Sequence, residues 1–200
     1  MEVVSSLFTF PNICWWMKVA DSSKVILDCG EHFQKMSYRN RYRISGANNS
    51  ILLSVPLLNG RNQRLPMSDV QIYNGERWQV QHWRTLVSVY KRSPFFDHYE
   101  LGLMKLYETE YERLCDFNLA SIEWVRKQLR LNFEIELAGT YINDYGPDVT
   151  DIRVDKTAPE ELPKYLQIFE DRIGFLPDLS ILDLLFMEGP MAAQRLKKCD

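Results

Sequence analysis

The spacing of apolar residues changes near residue 75. Before it, short apolar runs and alternating stretches predict strands; after it, apolar positions recur every three or four residues and predict helices. Residues 3–10 (Val-Val-Ser-Ser-Leu-Phe-Thr-Phe) read as a buried strand stopped by Pro11, and Asn12 is placed to cap a short helix running to about residue 20. Residues 24–28 (Lys-Val-Ile-Leu-Asp) form a second apolar strand. Strand, helix, strand is a parallel βαβ-like unit with a brief connection. Its strands would end on one edge, at residues 9–12 and 28–31. Ligands of open α/β sheets favour that edge, and free N–H groups at Asn12 would favour an anion.

Residues 38–45 alternate, with Tyr38, Asn40, Tyr42 and Ile44 on one face and Arg39, Arg41 and Arg43 on the other. The turn at 46–49 leads into a returning strand at 51–58, in which Pro56 marks an edge, and 70–72 is one more short strand. Helices are predicted at 76–92, 97–110 and 112–131. The acid-rich stretch 145–163 reads as a linker, followed by amphipathic pieces at 163–173 and 178–187. The expectation is a single α+β domain: a small mixed β-sheet from the N-terminal third packed against a helical C-terminal half. Its parts are a core over 1–145, a linker over 146–162 and a helical extension over 163–200 packed on the core. The Leu-rich face at 179–186 would dock on its own core or join a homodimer.

Composition narrows the class. With 46% hydrophobic and 26% charged residues in a chain of 200, a buried core is affordable and disorder is excluded. No apolar run reaches the ~20 residues of a membrane span, and Lys18 interrupts the first apolar stretch, so membrane insertion and a secretory signal are not expected. Four scattered cysteines without a CxxC pair, and His32 and His98 without ligand spacing, imply reduced thiols, no metal, no other cofactor and a cytoplasmic setting. Charge is uneven. Residues 32–92 hold ten basic and two acidic residues, a net of +8, which leaves −11 for the rest of a chain whose net charge is −3. A basic middle third attracts anions, or is neutralised internally by the acidic C-terminal half. Nucleic acid is not the expected partner, because no binding module accompanies the basic residues.

Several clusters, in this order, resemble the WbqC-like family. They are residues 6–13 (Ser-Leu-Phe-Thr-Phe-Pro-Asn-Ile), 31–41 (Glu-His-Phe-Gln-Lys-Met-Ser-Tyr-Arg-Asn-Arg) and 53–57 (Leu-Ser-Val-Pro-Leu). Residues 78–84, 90–96, 116–118 and 175–186 continue the likeness. Two departures stand out: Thr9 where the family usually has Tyr, and Asn12 where close relatives have a second Pro. The resemblance implies a bacterial protein of surface-polysaccharide (O-antigen) biosynthesis, with transfer of an amino-acid or related acyl group onto an amino sugar as the activity suggested for some members. It supplies no catalytic residues.

The site is therefore argued from chemistry. Lys35, Arg39 and Arg41, with Asn40 between them and Arg84 beyond, suit a phosphate or carboxylate, as in a sugar nucleotide or an acyl or peptidyl carrier protein. A solvated arginine stripe is the alternative. Asn40 would satisfy its amide on backbone. His82 lies on the apolar stripe of its helix between Trp78 and Leu86, either as a hydrogen-bonded core residue or as the base of an acyl transfer to an amine. Glu31, after Gly30 at the sheet edge, would orient His82, accept the amine proton, or pair with Lys35. Cys29 is a nucleophile or an inert small hydrophobe. Two functions follow: an acyl or aminoacyl transferase, or a non-catalytic binder of an anionic intermediate or carrier.

Overall fold

The structure, a computed structural model, describes residues 1–153 and 162–197. Strands β1 (Glu2–Ser6) and β2 (Lys24–Asp28) are parallel and joined by helix α1 (Ile13–Val19). Asn12 caps α1 by accepting from Trp15 N at 3.1 Å. The Trp15 indole N–H donates to Ser5 Oγ at 2.6 Å, so a buried ring on the helix is satisfied by the strand beneath it. β1 stops at Ser6, short of the expected 3–10. Beyond it the chain turns, with Phe10 at φ 39°, and its polar groups leave the ladder for helix side chains.

Strands β3 (Arg41–Ile44) and β4 (Ile51–Ser54) form a separate antiparallel hairpin that buries Tyr42 and Ile44 and exposes Arg43. Helices α2 (Trp78–Tyr90), α3 (Phe96–Glu108) and α4 (Leu114–Gln128) follow, close to their expected ranges. Their apolar stripes meet the odd-numbered face of β1 and β2 in one core that includes Val3, Trp16, Val25, Trp78, Leu103 and Phe117. Each such side chain removed from water stabilises the fold by ~1.5–3 kcal/mol.

The chain then re-enters the first sheet. Strand β5 (Glu134–Ala138) pairs parallel with β2, and strand β6 (Val149–Asp151) pairs parallel with β1, giving the order β5-β2-β1-β6. The parallel sheet and the antiparallel hairpin, with the helices against them, make an α+β fold. Neither β5 nor β6 is predicted from the sequence, and β6 falls inside the stretch read as a linker. Part of that stretch, residues 154–161, lies outside the described residues. Short helix α5 (Glu170–Ile173), helix α6 (Ile181–Glu188) and short helix α7 (Ala192–Leu196) complete the described chain. Residues 181–186 are all buried within this chain. The Asp183 carboxylate accepts from Tyr90 Oη at 2.5 Å and Tyr165 Oη at 2.7 Å, and burial pushes its pKa up.

One knot locks the sheet. Residues 139–148 return from β5 at one edge to β6 at the other, and Arg153, just past β6, holds them there. Its guanidinium donates to Asp28 Oδ2 at 2.6 Å, Ile142 O at 2.8 Å and Asp151 Oδ2 at 2.6 Å. It also lies 5.0 Å from the Tyr141 ring and 5.3 Å from the Tyr145 ring. Gly30 lets the return pass: a Cβ there would lie 2.1 Å from Tyr141 N. Arg153→Met leaves the fully buried Asp28 carboxylate without its cation, and a loss of about 3–5 kcal/mol in urea unfolding is expected.

Candidate functional site

Ser6 and Asp28 are register partners at the C-terminal ends of β1 and β2. Asp28 Oδ1 accepts from the backbone N–H groups of Gly30 (2.9 Å) and Glu31 (3.0 Å), a turn that aims Glu31 back across the strand ends. There Glu31 meets Arg39. Arg39 Nε donates to Oε1 at 2.9 Å and Nη2 donates to Oε2 at 2.6 Å, a two-point fork. Ser6 Oγ donates to the same Oε2 at 3.0 Å and accepts from Arg39 Nη2 at 3.0 Å. Phe8 covers the guanidinium, with its ring 5.7 Å away. All three polar residues are buried, Glu31 at 6% and Arg39 at 3% exposure. Among the described residues Oε1 accepts only the Arg39 Nε bond, which leaves one acceptor position of the carboxylate open.

Asn118 of α4 holds this arrangement from behind. Its Nδ2 donates to Leu7 O at 3.1 Å and Arg39 O at 2.7 Å, and the Thr9 hydroxyl lies 2.5 Å from its Oδ1. The Thr9 hydroxyl, buried, is thus used up in hydrogen bonding within the protein. Asn118 is absent from the sequence-derived candidates. Its signal was a fully polar residue on the apolar stripe of α4, beside Phe117 and Ile122.

Arg39, expected beside Arg41 and Arg43 on one strand face, does not lie there. β3 begins only at Arg41, and the preceding turn swings Arg39 inward to neutralise Glu31. Arg41 remains half-buried, with Nε donating to Ser37 O at 3.2 Å. Asn40 Nδ2 donates to Val55 O at 2.9 Å, the backbone partner the sequence favoured. Lys35 is exposed and is not the partner of Glu31. Arg84 is exposed on α2. The anion expected at the N-terminus of α1 is supplied by the chain itself: the Asp178 carboxylate accepts from Asn12 Nδ2 at 2.5 Å and Cys14 N at 3.0 Å. Cys29 is buried, and its interaction with Cys115 lowers its pKa and raises that of Cys115, whose thiol donates to Met67 O at 3.1 Å.

Among the described residues His82 makes no hydrogen bond to Glu31 and shares no hydrogen-bond partner with it. It is buried at 4% exposure, with Nδ1 3.2 Å from Tyr42 Oη and Nε2 3.2 Å from Ser54 O. Tyr42 Oη is in turn 2.7 Å from Tyr107 Oη. Burial lowers the His82 pKa to about 4, against the opposing pull of the Ser54 carbonyl. A surface groove of about 570 Å³ between Val87, Arg92 and Ile168, Phe169 takes none of its lining from the sheet edge. Among the described residues no cluster of three or more His, Cys, Asp or Glu could hold a metal ion, and no helix is long and apolar enough to cross a membrane.

The fold and the edge define an α+β protein whose buried ionic side chains collect at the C-terminal ends of an open parallel sheet. The chain matches the WbqC-like protein family over residues 8–148, a span that begins just after β1 and takes in α1, β2, the Glu31–Arg39 pair, the hairpin, α2–α4 and β5. It belongs to that family. No curated protein and no solved structure matches it.

His82 makes acid sensitivity testable. A folded pKa near 4 against 6.5 unfolded means the unfolded chain takes up the proton first. Its contribution is complete above pH 6.5 and declines as pH falls toward 4. The native protein should lose about 3 kcal/mol over that window through this group. His82→Gln should lack that part of the loss in urea titrations at stepped pH, and the His82 ring signals in NMR should stay those of a neutral imidazole at pH 6.

Proposed function

We propose that this WbqC-like protein is a transferase that moves an amino-acid or other acyl group onto an amino-sugar nucleotide in bacterial surface-polysaccharide (O-antigen) biosynthesis, working in the cytoplasm. The observation that carries the reading is the Ser6–Glu31–Arg39 group at the ligand-favouring edge of the parallel sheet. The amine nitrogen of the sugar attacks the acyl carbonyl carbon. The new C–N bond forms, the bond to the donor's leaving group breaks, and the amine proton passes to the open acceptor position on Glu31. Arg39 keeps that carboxylate oriented until then. Lys35 and Arg41, on the neighbouring loop and strand, face the phosphates of the nucleotide or of an acyl or peptidyl carrier donor. His82, buried and neutral at pH 7, supports Tyr42 beneath the hairpin and is not the base in this reading.

One observation favours a second reading, a non-catalytic holder of the same anionic intermediate: Glu31 is already held by three internal hydrogen bonds. The two separate by turnover. Incubation with UDP- or dTDP-amino sugars and carrier-bound or otherwise activated amino acids is expected to give the amide by mass spectrometry. Glu31→Gln should slow its formation by roughly 10²-fold or more while leaving nucleotide binding in place. Binding without amide from any donor supports the holder instead, and melting temperature monitors the fold of the variant.

A further inference from the structure

Beside Glu31 two loops run antiparallel. His32 and Pro66 form a bridge, Phe33 N donates to Leu65 O at 2.9 Å, and Met67 N donates to Glu31 O at 2.8 Å. Past that pairing Gln34 leads into a turn at Lys35 and Met36, and Arg64 directly precedes Leu65, so Lys35 and Arg64 both lie within two residues of the joined Phe33–Leu65 ends of the two loops. Arg61 follows in the second loop, whose bend is fixed by Gly60 at φ +64° and by Gln63 Nε2 donating to Gly60 O at 2.8 Å. Arg41 leans toward the first loop through Ser37 O. In the first loop Met36 adopts φ 63°, a conformation that a side chain with a Cβ resists, while standing 70% exposed.

Among the described residues no carboxylate balances the charge here. Lys35, Arg61 and Arg64 are exposed, and none forms an ion pair or hydrogen bond with another described residue. No Asp or Glu occurs between His32 and Ser68. In contrast, Lys24, Lys91, Arg153 and Arg195 each sit on a carboxylate. Like charges on adjoining loops repel and add nothing to folding, which leaves them available to a counter-charge from outside. A point anion would need one or two of them; three on the two loops, with Arg41 at the start of β3, fit a group of several charges.

We propose that the two loops form a diphosphate-binding rim, in which Arg61 and Arg64, with Lys35 and Arg41, hold the diphosphate of a nucleotide-linked ligand while its far end reaches the Glu31–Arg39 edge. The assignment of that far end rests on the transferase reading above; the rim itself does not. Arginine forks match phosphate oxygens in two-point geometry, and the binding is electrostatic and weakened by salt.

Calorimetry on the full chain with inorganic pyrophosphate, UDP and inorganic phosphate tests it. Pyrophosphate and UDP should bind saturably at one site, phosphate distinctly more weakly, and the double variant Arg61→Ala/Arg64→Ala should raise Kd about tenfold or more. Lys105→Ala/Arg172→Ala removes the same charge from exposed positions elsewhere and should change Kd less than twofold. Equal weakening by both double variants, or no saturable binding of either diphosphate, overturns the rim; in the second case an acidic protein surface becomes the counter-charge to seek. Pyrophosphate binding that depends on Arg61 and Arg64 without any amide product retains the rim and removes the transferase reading. Amide formation from a nucleotide-linked amino sugar that is unchanged in Arg61→Ala/Arg64→Ala removes the rim and retains the transferase.

Discussion

Strand β2 ends in two carboxylates buried within four residues of each other, Asp28 and Glu31, and the fold around them is arranged to neutralise both. A buried carboxylate without a counter-ion costs several kcal/mol, so each must find a guanidinium. Both guanidinium groups come from elsewhere in the chain: Arg39 from the turn before the hairpin, Arg153 from beyond the last strand. The first pairing fixes the approach of the hairpin to the sheet edge. The second fixes the return from β5 to β6. Sheet topology and candidate site are thus set by the same two ion pairs.

What a reader of the sequence can reach follows from how local the determinants are. The β1–α1–β2 unit is legible because Pro11 and Asn12 punctuate two apolar runs. α2, α3 and α4 are legible because Trp78, Leu86, Leu103, Phe117 and Val125 keep helical spacing. β5 is not, since Glu134, Glu136 and an exposed Leu137 give an edge strand little apolar signature. β6 is three residues long and exists only through its pairing with β1. Glu31 was reached from its place at a strand end, whereas its partnership with Arg39 was hidden. Alternation had put Arg39 outward, and a turn just ahead of β3 reversed it. Arg153 stood in an acid-rich stretch whose composition reads as a linker, and nothing near it in sequence announces Asp28.

Polar groups in the helical half are handled differently from those at the sheet edge. Tyr42, Tyr107 and His82 form a chain of neutral partners, closed by the Ser54 carbonyl. Asp183 is enclosed by the hydroxyls of Tyr90 and Tyr165, and Tyr90 also accepts from Ser45 N at 3.0 Å, tying α6 to α2 and to the hairpin. Neutral donors satisfy these atoms without a second charge to desolvate. Among the described residues the buried ion pairs lie at the edge where a charged ligand would be read, and the uncharged networks carry the packing of helices against the hairpin.

The partners of β1 are far apart in the chain: Glu2 aligns with Lys24 on one side and with Val149 on the other. As the polypeptide leaves the ribosome at ~5–20 residues per second, β1 and β2 pair early, but one ladder edge of β1 stays open for roughly 7–30 s until β6 follows. An open edge of this kind templates association with other nascent chains. Slower translation lengthens the time that this edge stays open.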